Sequence, residues 1–357
     1  MFYEDIEREL LRRYRSPRTV VVLRHSCGAA TFAFKYGHRM EIDMDIALKT
    51  SRSGGPPAGK AIPVLSIGLA VRNGGQLIER CIKSVLSQDF TDLELIVCDN
   101  ASDDGTLETL ERYARADQRL KVRANPVNIG AHENMRRVLD ISRGTFFRWI
   151  SHDDWLEPGC LSACVRALES RPDAVGVSTW FTIHTSDGST RYEEYRGEFP
   201  DSPDPARRFE RMLWFFHAGD AKYDPMYGVL RRDCLARTAF PGPSERTDWL
   251  TAAELALRGP IINLDQRLAN RTRDYTPGVD RAAYRLRSDP ARAEQLKTSA
   301  SRLYRELYAL AVSAHLSEPQ LRRCRSALRL FWLKEQVSSA RSKLSDTRHR
   351  ILGHRKV

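Results

Sequence analysis

The sequence predicts an α/β protein built on an open, mostly parallel sheet flanked by helices, with a helical C-terminal extension. Three observations lead there. Between residues 64 and 150 short apolar runs alternate with segments of helical periodicity, the pattern of βαβ units. The run at 64–71 is nearly all apolar, as a strand covered on both faces must be. Beyond residue 280, Asp289-Pro290 and Ser317-Glu318-Pro319 each combine an N-cap residue with a proline in the first helical turn.

The elements follow in order. Residues 64–71 read as a strand, 76–87 as a helix and 93–98 as the second strand. Asp103 or Asp104 caps a helix that reaches 116; 120–123 is a strand, 131–141 a helix, and 145–150 the fourth strand of a parallel set. Pro158 suits the first position of a helix over 159–169, and 175–184 with 191–195 flank Ser186-Asp187-Gly188 as a hairpin. A helix at 207–216, an apolar run at 227–230 and a helix near 249–257 come next, and the two proline-opened signals place two long helices within 290–345. At the front, a helix at 4–15 and strand-like runs at 19–23 and 30–36 have no assignable role, and the Ser/Gly/Pro-rich stretch that follows reads as a linker. The expected organisation is therefore an N-terminal extension (1–50), a linker (51–62), the α/β domain (63–280) and a basic helical extension (281–357).

At 357 residues the chain exceeds the ~150-residue expectation for one domain, and a hydrophobic share of 41% supports a substantial core. No run approaches the roughly 20 apolar residues that a spanning helix needs. The first residues mix acids with bases without an apolar stretch, so they do not read as a secretory signal. Seven scattered cysteines form no zinc pattern; Cys160 and Cys164, at i and i+4, read as buried thiols. Together these features lead to an expectation of a cytoplasmic protein. The net charge of +11 is uneven: residues 281–357 hold 18 Lys+Arg against 6 Asp+Glu, and the remainder is nearly neutral. In 321–334 basic residues interleave with Leu, Phe and Trp at helical spacing, which leads to the expectation of a peripheral contact with the anionic inner face of the plasma membrane. In the alternative arrangement the apolar side packs on the α/β domain and the arginines stay solvated. Nucleic acid is not an expected partner, since no binding motif accompanies the charge.

In an open α/β sheet the ligand crevice lies beyond the carboxyl ends of the strands. Three polar clusters fall there: Arg72-Asn73 after the first strand, Asp99-Asn100-Ala101-Ser102 after the second, and Ser151-His152-Asp153-Asp154 after the fourth. Singly, each could cap a helix or make a turn. The adjacent carboxylates of Asp153 and Asp154 repel unless a cation neutralises them, and Mg²⁺ or Mn²⁺ binds one or two carboxylates together with substrate phosphates. A diphosphate ligand is thereby expected. Asp99, an acceptor-only group, could take the N3–H of a uracil or thymine ring.

At these residues the chain resembles a family 2 glycosyltransferase of GT-A fold. Residues 63–180 are similar to the donor half of that family: Val64-Leu65-Ser66-Ile67, Val97-Cys98-Asp99-Asn100-Ala101-Ser102-Asp103-Asp104-Gly105-Thr106, Asn128-Ile129-Gly130 with Asn134, and Trp149-Ile150-Ser151-His152-Asp153-Asp154-Trp155. Tyr227-Gly228-Val229-Leu230-Arg231-Arg232 and Thr247-Asp248-Trp249-Leu250 resemble its acceptor-side segments. The resemblance implies a nucleotide-sugar donor, UDP or dTDP, bound around Ala70, Arg72, Asp99, Asn100, Asn134 and Ser151. It implies a metal on Asp153, the second acid of Asp-x-Asp, and Asp248 as the base that deprotonates the acceptor hydroxyl of a glycan or lipid-linked glycan, with inversion. Ser151 departs from the family by standing where the first acid belongs, so the metal site loses a charge unless Asp154 supplies it. Asp248 could equally cap a helix starting at Trp249, and Arg271 and Arg273 are candidates to meet the diphosphate. A nucleotidyltransferase fits less well, because Ala70-Val71-Arg72-Asn73-Gly74-Gly75-Gln76 lacks the lysine of such a loop, and no Gly-x-Gly-x-x-Gly follows a strand as a dinucleotide oxidoreductase would require. A non-catalytic sugar-nucleotide binding or scaffold protein stays open on account of Ser151.

Overall fold

Along the chain, β1 (Leu65–Val71), α1 (Leu77–Leu86), β2 (Leu93–Asp99), α2 (Thr106–Ala116), β3 (Leu120–Ala124), α3 (Ala131–Ile141) and β4 (Phe146–Trp149) alternate as the apolar pattern requires. A short β5 (Trp155–Leu156), α4 (Cys160–Ser170), β6 (Gly176–His184), β7 (Thr190–Tyr192) and α5 (Pro205–Phe216) follow. Then come a 3₁₀ turn (Pro225–Tyr227), β8 (Val229–Arg231), α6 (Arg232–Ala236), α7 (Thr247–Arg258), β9 (Ile261–Thr272), α8 (Ala300–Ser313) and α9 (Glu318–Gly353). The computed structural model describes residues 62–353 apart from 186, 193–194, 218–224, 239, 241–245 and 273–298. The elements expected at 4–15, 19–23 and 30–36, the linker up to 61, Arg273 and the Asp289 cap lie outside the described residues.

Side-chain alternation along the strands sets the layers. Leu65, Ile67 and Leu69 of β1, with Leu95 and Val97 of β2, face α1, α2 and α4 in one core. Ile96 and Cys98 of β2, with Phe147 and Trp149 of β4, face α3, α5 and α7 in the other. A sheet apolar on both faces needs both helical layers, which explains why the strands read as continuous apolar runs. Gly68 of β1 lies under Phe147, where a Cβ would come within 2.4 Å of that ring, so the close approach of α3 and β4 depends on its missing side chain.

Strand order is β3-β2-β1-β4-β8-β6-β9-β5, with β7 paired to β6. The four expected parallel strands are present, β1 to β4. The expected hairpin is β6 and β7, antiparallel from Thr182↔Tyr192 to His184↔Thr190. β8 then runs antiparallel between β4 and β6. Two strands were not expected, β5 and β9. β9 pairs in parallel with all of β6, but the register shifts around Trp180, and the extra residues taken up by β9 break the alternation that would have marked it as a strand.

Helix boundaries follow local chemistry. Asp204 accepts from the Ala206 N–H at 3.0 Å with Pro205 in the first turn of α5. Before α2 the cap acceptor is Asp104, whose carboxylate takes the Thr106 N–H at 3.1 Å. α4 starts at Cys160, so Pro158 precedes the helix rather than opening it. At the start of α9 the Gln320 side chain accepts both the Ser317 N–H and the Ser317 hydroxyl at 3.0 Å, the return half of a capping box. The C-terminal helices are no detached appendage. Leu303, Leu307 and Ala311 of α8, and Cys324, Ala327, Leu328 and Phe331 of α9, are buried in the same core as α5 and α7.

Gly228 sits where β8 meets β6, and a Cβ there would lie 2.3 Å from the Val177 carbonyl oxygen. Backbone cannot yield as a flexible side chain does, so Gly228→Ala should destabilise the domain by about 2 kcal/mol. Urea unfolding checks this, with a lowered midpoint at unchanged slope as the expected outcome.

Candidate active site

The β1–α1 and β2–α2 loops form one rigid ledge. Registers Val71↔Asp99 and Gly68↔Trp149 bring the carboxyl ends of β2, β1 and β4 side by side, as the strand-end argument requires. Asp99 is buried, and its two oxygens accept from the backbone and hydroxyl of Ser102. Ser102 Oγ in turn accepts the Asn73 N–H at 2.9 Å, and Asn73 Oδ1 accepts the Asp103 N–H at 3.1 Å. Gly74 N–H donates to Thr106 Oγ1 and Gly75 N–H to Asp104. Burial opposes ionisation of Asp104, but the bonds from Thr106 and Gly75 outweigh it and hold its carboxyl below the usual value. Asn73 and Ala101 adopt left-handed backbone, with φ of 55° and 57°, strain that this mesh of bonds holds in place. Arg72 is exposed, and its 3.9 Å pairing with Asp103 is a loose surface contact that leaves the guanidinium open to an anion.

Asn100 and Asn134 occupy a second layer. Asn134 is 1% exposed; its Nδ2 donates to the Cys98 carbonyl at 2.8 Å and its Oδ1 accepts from Asn125 at 2.8 Å. Asn100 bridges Asn128, Asn125 and the Ile129 N–H. Both amides, expected at the nucleotide itself, are spent on tying the 125–130 loop to the end of β2. They position the ledge. Ala70 is part of it, paired with Cys98 near the end of β1.

Beyond β4 the chain turns through Ser151–Asp154, and α1 with the turn just after it carries a row of groups that satisfies this segment. Arg80 donates to the Asp153 carbonyl at 3.0 Å while its guanidinium lies 3.6 Å over the Trp155 ring. Cys81 donates to the Ser151 carbonyl, Ser84 Oγ accepts the Leu156 N–H, and Gln88 takes the Glu157 carbonyl and the Leu161 N–H. Burial, followed by the charges of Asp154 and Asp153, pushes the Cys81 thiol well up, so it stays a neutral donor. Sequence reasoning missed Arg80 and Cys81, because on their own helix they belong to an ordinary amphipathic pattern. Their role appears only once the segment 151–161 is laid against α1.

The two acids of this turn part company. β5 pairs antiparallel with β9 through Trp155↔Asn270, which sets Asp154 across from Arg271 and Asp153 across from Thr272. Asp154 is buried, with Oδ2 3.8 Å from Arg271 Nε, and Arg271 is held over the rings of Tyr227 at 4.1 Å and Phe181 at 5.0 Å. Thr272 donates to the Asp153 carbonyl at 2.9 Å. Asp154, expected to share a metal, and Arg271, expected to meet the diphosphate, thus face each other as an ion pair at 3.8 Å. Asp153 is half-buried, and its carboxylate enters no hydrogen bond or ion pair among the described residues. Among the described residues no three His, Cys, Asp or Glu side chains gather to hold a metal.

Asp248 is exposed in the first turn of α7, which starts at Thr247, so it does not cap a helix beginning at Trp249. Its neighbour Trp249 stacks on Phe216 with ring centroids 4.6 Å apart and planes 8° apart, which fixes the rotation of that turn. The 3₁₀ turn bearing Tyr227 contacts both α7 and β4 and so links this helix to the Arg271 side of the site.

Residues 66–229, which include all three loop clusters, match the model of Glycosyl transferase family 2. Over these residues the chain is similar to family 2 glycosyltransferases. Over 105 residues the chain is 30% identical to chondroitin synthase of Pasteurella multocida, covering 29% of this chain and 11% of that protein. Another 106-residue match is 35% identical to the GalNAc(5)-diNAcBac-PP-undecaprenol beta-1,3-glucosyltransferase of Campylobacter jejuni, covering 29% of this chain and 34% of that one. The matched stretch is thus about a tenth to a third of these relatives. The S. aureus TarS 1–349 structure in complex with UDP aligns over 74% of this chain and 70% of its own at a TM-score of 0.52 and 18% identity. That likeness gives the fold of the domain as GT-A.

Replacing Arg271 by Met removes the cation 3.8 Å from the buried Asp154 carboxylate, with an expected loss of about 3 kcal/mol. Adding Asp154→Asn to the same chain should restore more than half of it, as a thermal or urea double-mutant cycle measures.

Proposed function

We propose that this protein transfers a sugar from a nucleoside diphosphate donor, UDP- or dTDP-linked, to an acceptor hydroxyl, with inversion at the anomeric carbon. The observation that carries this reading is the Asp153 carboxylate, held by its backbone at both sides while its oxygens stay uncommitted among the described residues. It follows β4, the strand beside β1, whose end carries Arg72, with Asp99 at the end of β2 on the other side. A carboxylate has about four lone-pair sites. Asp99 spends two on Ser102 and keeps capacity for a pyrimidine N3–H. Ser151 can hydrogen-bond a ribose hydroxyl, and exposed Arg72 can meet a phosphate.

The residues fit Mn²⁺ or Mg²⁺ in one particular way. Asp153 alone would hold the ion, since Asp154 is committed to Arg271 and Ser151 brings no charge. One carboxylate with substrate phosphate oxygens is a familiar donor set for such an ion. When bound, the ion supplies positive charge to the departing diphosphate. Metal and nucleotide should therefore bind together, each weakly alone. Asp248, exposed at the start of α7, serves as the general base for the acceptor hydroxyl, a role worth typically 10²–10⁴-fold. The acceptor is a glycan or a lipid-linked glycan, in line with the relatives' printed names. The six described cysteines are free and buried, which suits a cytoplasmic, reducing setting.

Two outcomes test this. UDP should raise the melting temperature more with Mn²⁺ than without it, and Asp153→Ala should abolish the difference; an Asp153→Ala shift equal to wild type would remove the ligand. Asp248→Asn should keep donor affinity and slow transfer by roughly 10²-fold or more, whereas near-normal transfer would leave Asp248 a first-turn acid with no part in chemistry.

A further inference from the structure

α9 shows two apolar faces. Cys324, Ala327, Leu328 and Phe331 are buried against α5 and α8. Leu330, Leu333 and Val337 are 50%, 51% and 50% exposed. At 3.6 residues per turn these three form a stripe on the side of α9 turned away from the core. In the sequence the 3-4 apolar spacing runs on to Ala340 and Leu344. Trp214 of α5, itself 41% exposed, adjoins the stripe, since the Lys334 ammonium lies 3.7 Å over its ring.

Charge flanks this stripe with one sign. Arg322, Arg323, Arg329 and Lys334 are exposed around it. In heptad register with Leu330 and Leu333 as core positions, the flanking g and e places among the described side chains are Arg329, Lys334 and Gln336. From 322 to 350 the helix carries nine basic residues against two acids. One of these, Glu335, turns toward the domain, where it meets His217 at 3.6 Å and Arg246 at 4.0 Å.

We infer that this face of α9 docks on a membrane surface containing anionic lipid, with Leu330, Leu333, Val337 and Trp214 at the acyl boundary and the flanking cations among the headgroups. The charge pattern chooses the occupant. A second copy of α9 would set Lys and Arg against Lys and Arg along both edges of the stripe, so the heptad that could pair also repels itself. An anionic surface turns each of those cations into a favourable contact, and Trp is a residue of membrane–water interfaces. Among the described residues no helix is long and apolar enough to cross a membrane. The inference revises where the contact lies: the apolar residues of 321–334 divide between the core and the surface, and only the outward set is available to lipid. It holds independently of the proposed sugar transfer.

The experiment is co-sedimentation of the full-length protein with vesicles of phosphatidylcholine alone or mixed with phosphatidylglycerol, at low and high salt. Wild type should pellet with the mixed vesicles, weaken as salt screens the cations, and stay in solution with neutral vesicles. L330Q/L333Q/V337Q should weaken pelleting by about tenfold or more, and Lys334→Glu by about fivefold, at unchanged melting temperature. Equal pelleting with neutral and anionic vesicles, or triple-variant binding equal to wild type, overturns the inference. So does a dimer in sedimentation velocity that the triple variant dissolves without any vesicle binding, which would assign the stripe to a second copy.

Discussion

When the chain leaves β4 it must run through Ser151–Glu157 without a ladder partner for most of its carbonyls, and the site depends on how these are satisfied. A buried unpaired backbone group costs about 1–3 kcal/mol. Arg80 and Cys81 of α1, Gln88 just after it and Thr272 of β9 donate to the carbonyls, while Ser84 of α1 accepts the Leu156 N–H. The turn is therefore fixed from two sides by its backbone, so a side chain within it need take no part in holding it. Asp153 is that side chain.

The neighbouring acid does opposite work. Two adjacent carboxylates at a strand end repel, and the fold resolves this by separating them. Asp154 turns inward to Arg271, which Tyr227 and Phe181 brace from its ring faces. Asp153 stays outward. Ser151 lowers the negative charge of this turn further, so under the proposed function Asp153 would need the substrate's own phosphates to complete a cation site.

Much of this was legible in the sequence. The βαβ alternation from Leu65 to Trp149 showed the parallel half of the sheet, because strands apolar on both faces and amphipathic helices leave different periods. The loop clusters at Arg72, Asp99 and Ser151 converge because they follow three adjacent strands. What was hidden depends on pairing between distant segments. β9 carries no alternation because of its shifted register beside Trp180. The partner of Asp154 follows from the β5–β9 register, which no local pattern reveals. The buried amides of Asn100 and Asn134 look like binding residues until Asn125 and the Cys98 carbonyl are found across from them. In α9 the sequence shows basic and apolar residues interleaved, and only the packing of Phe331 and Leu328 separates the core face from the outward one.

The central claim is that the two acids of the turn have different work, Asp153 binding the cation and Asp154 holding the fold. Calorimetric titration of Mn²⁺ into the UDP-saturated protein tests it most directly, with Asp153→Asn and Asp154→Asn compared at equal folded fraction. The account predicts that Asp153→Asn loses measurable Mn²⁺ binding while Asp154→Asn keeps it within a few-fold of wild type. Equal loss in both variants, or loss in Asp154→Asn alone, would contradict it.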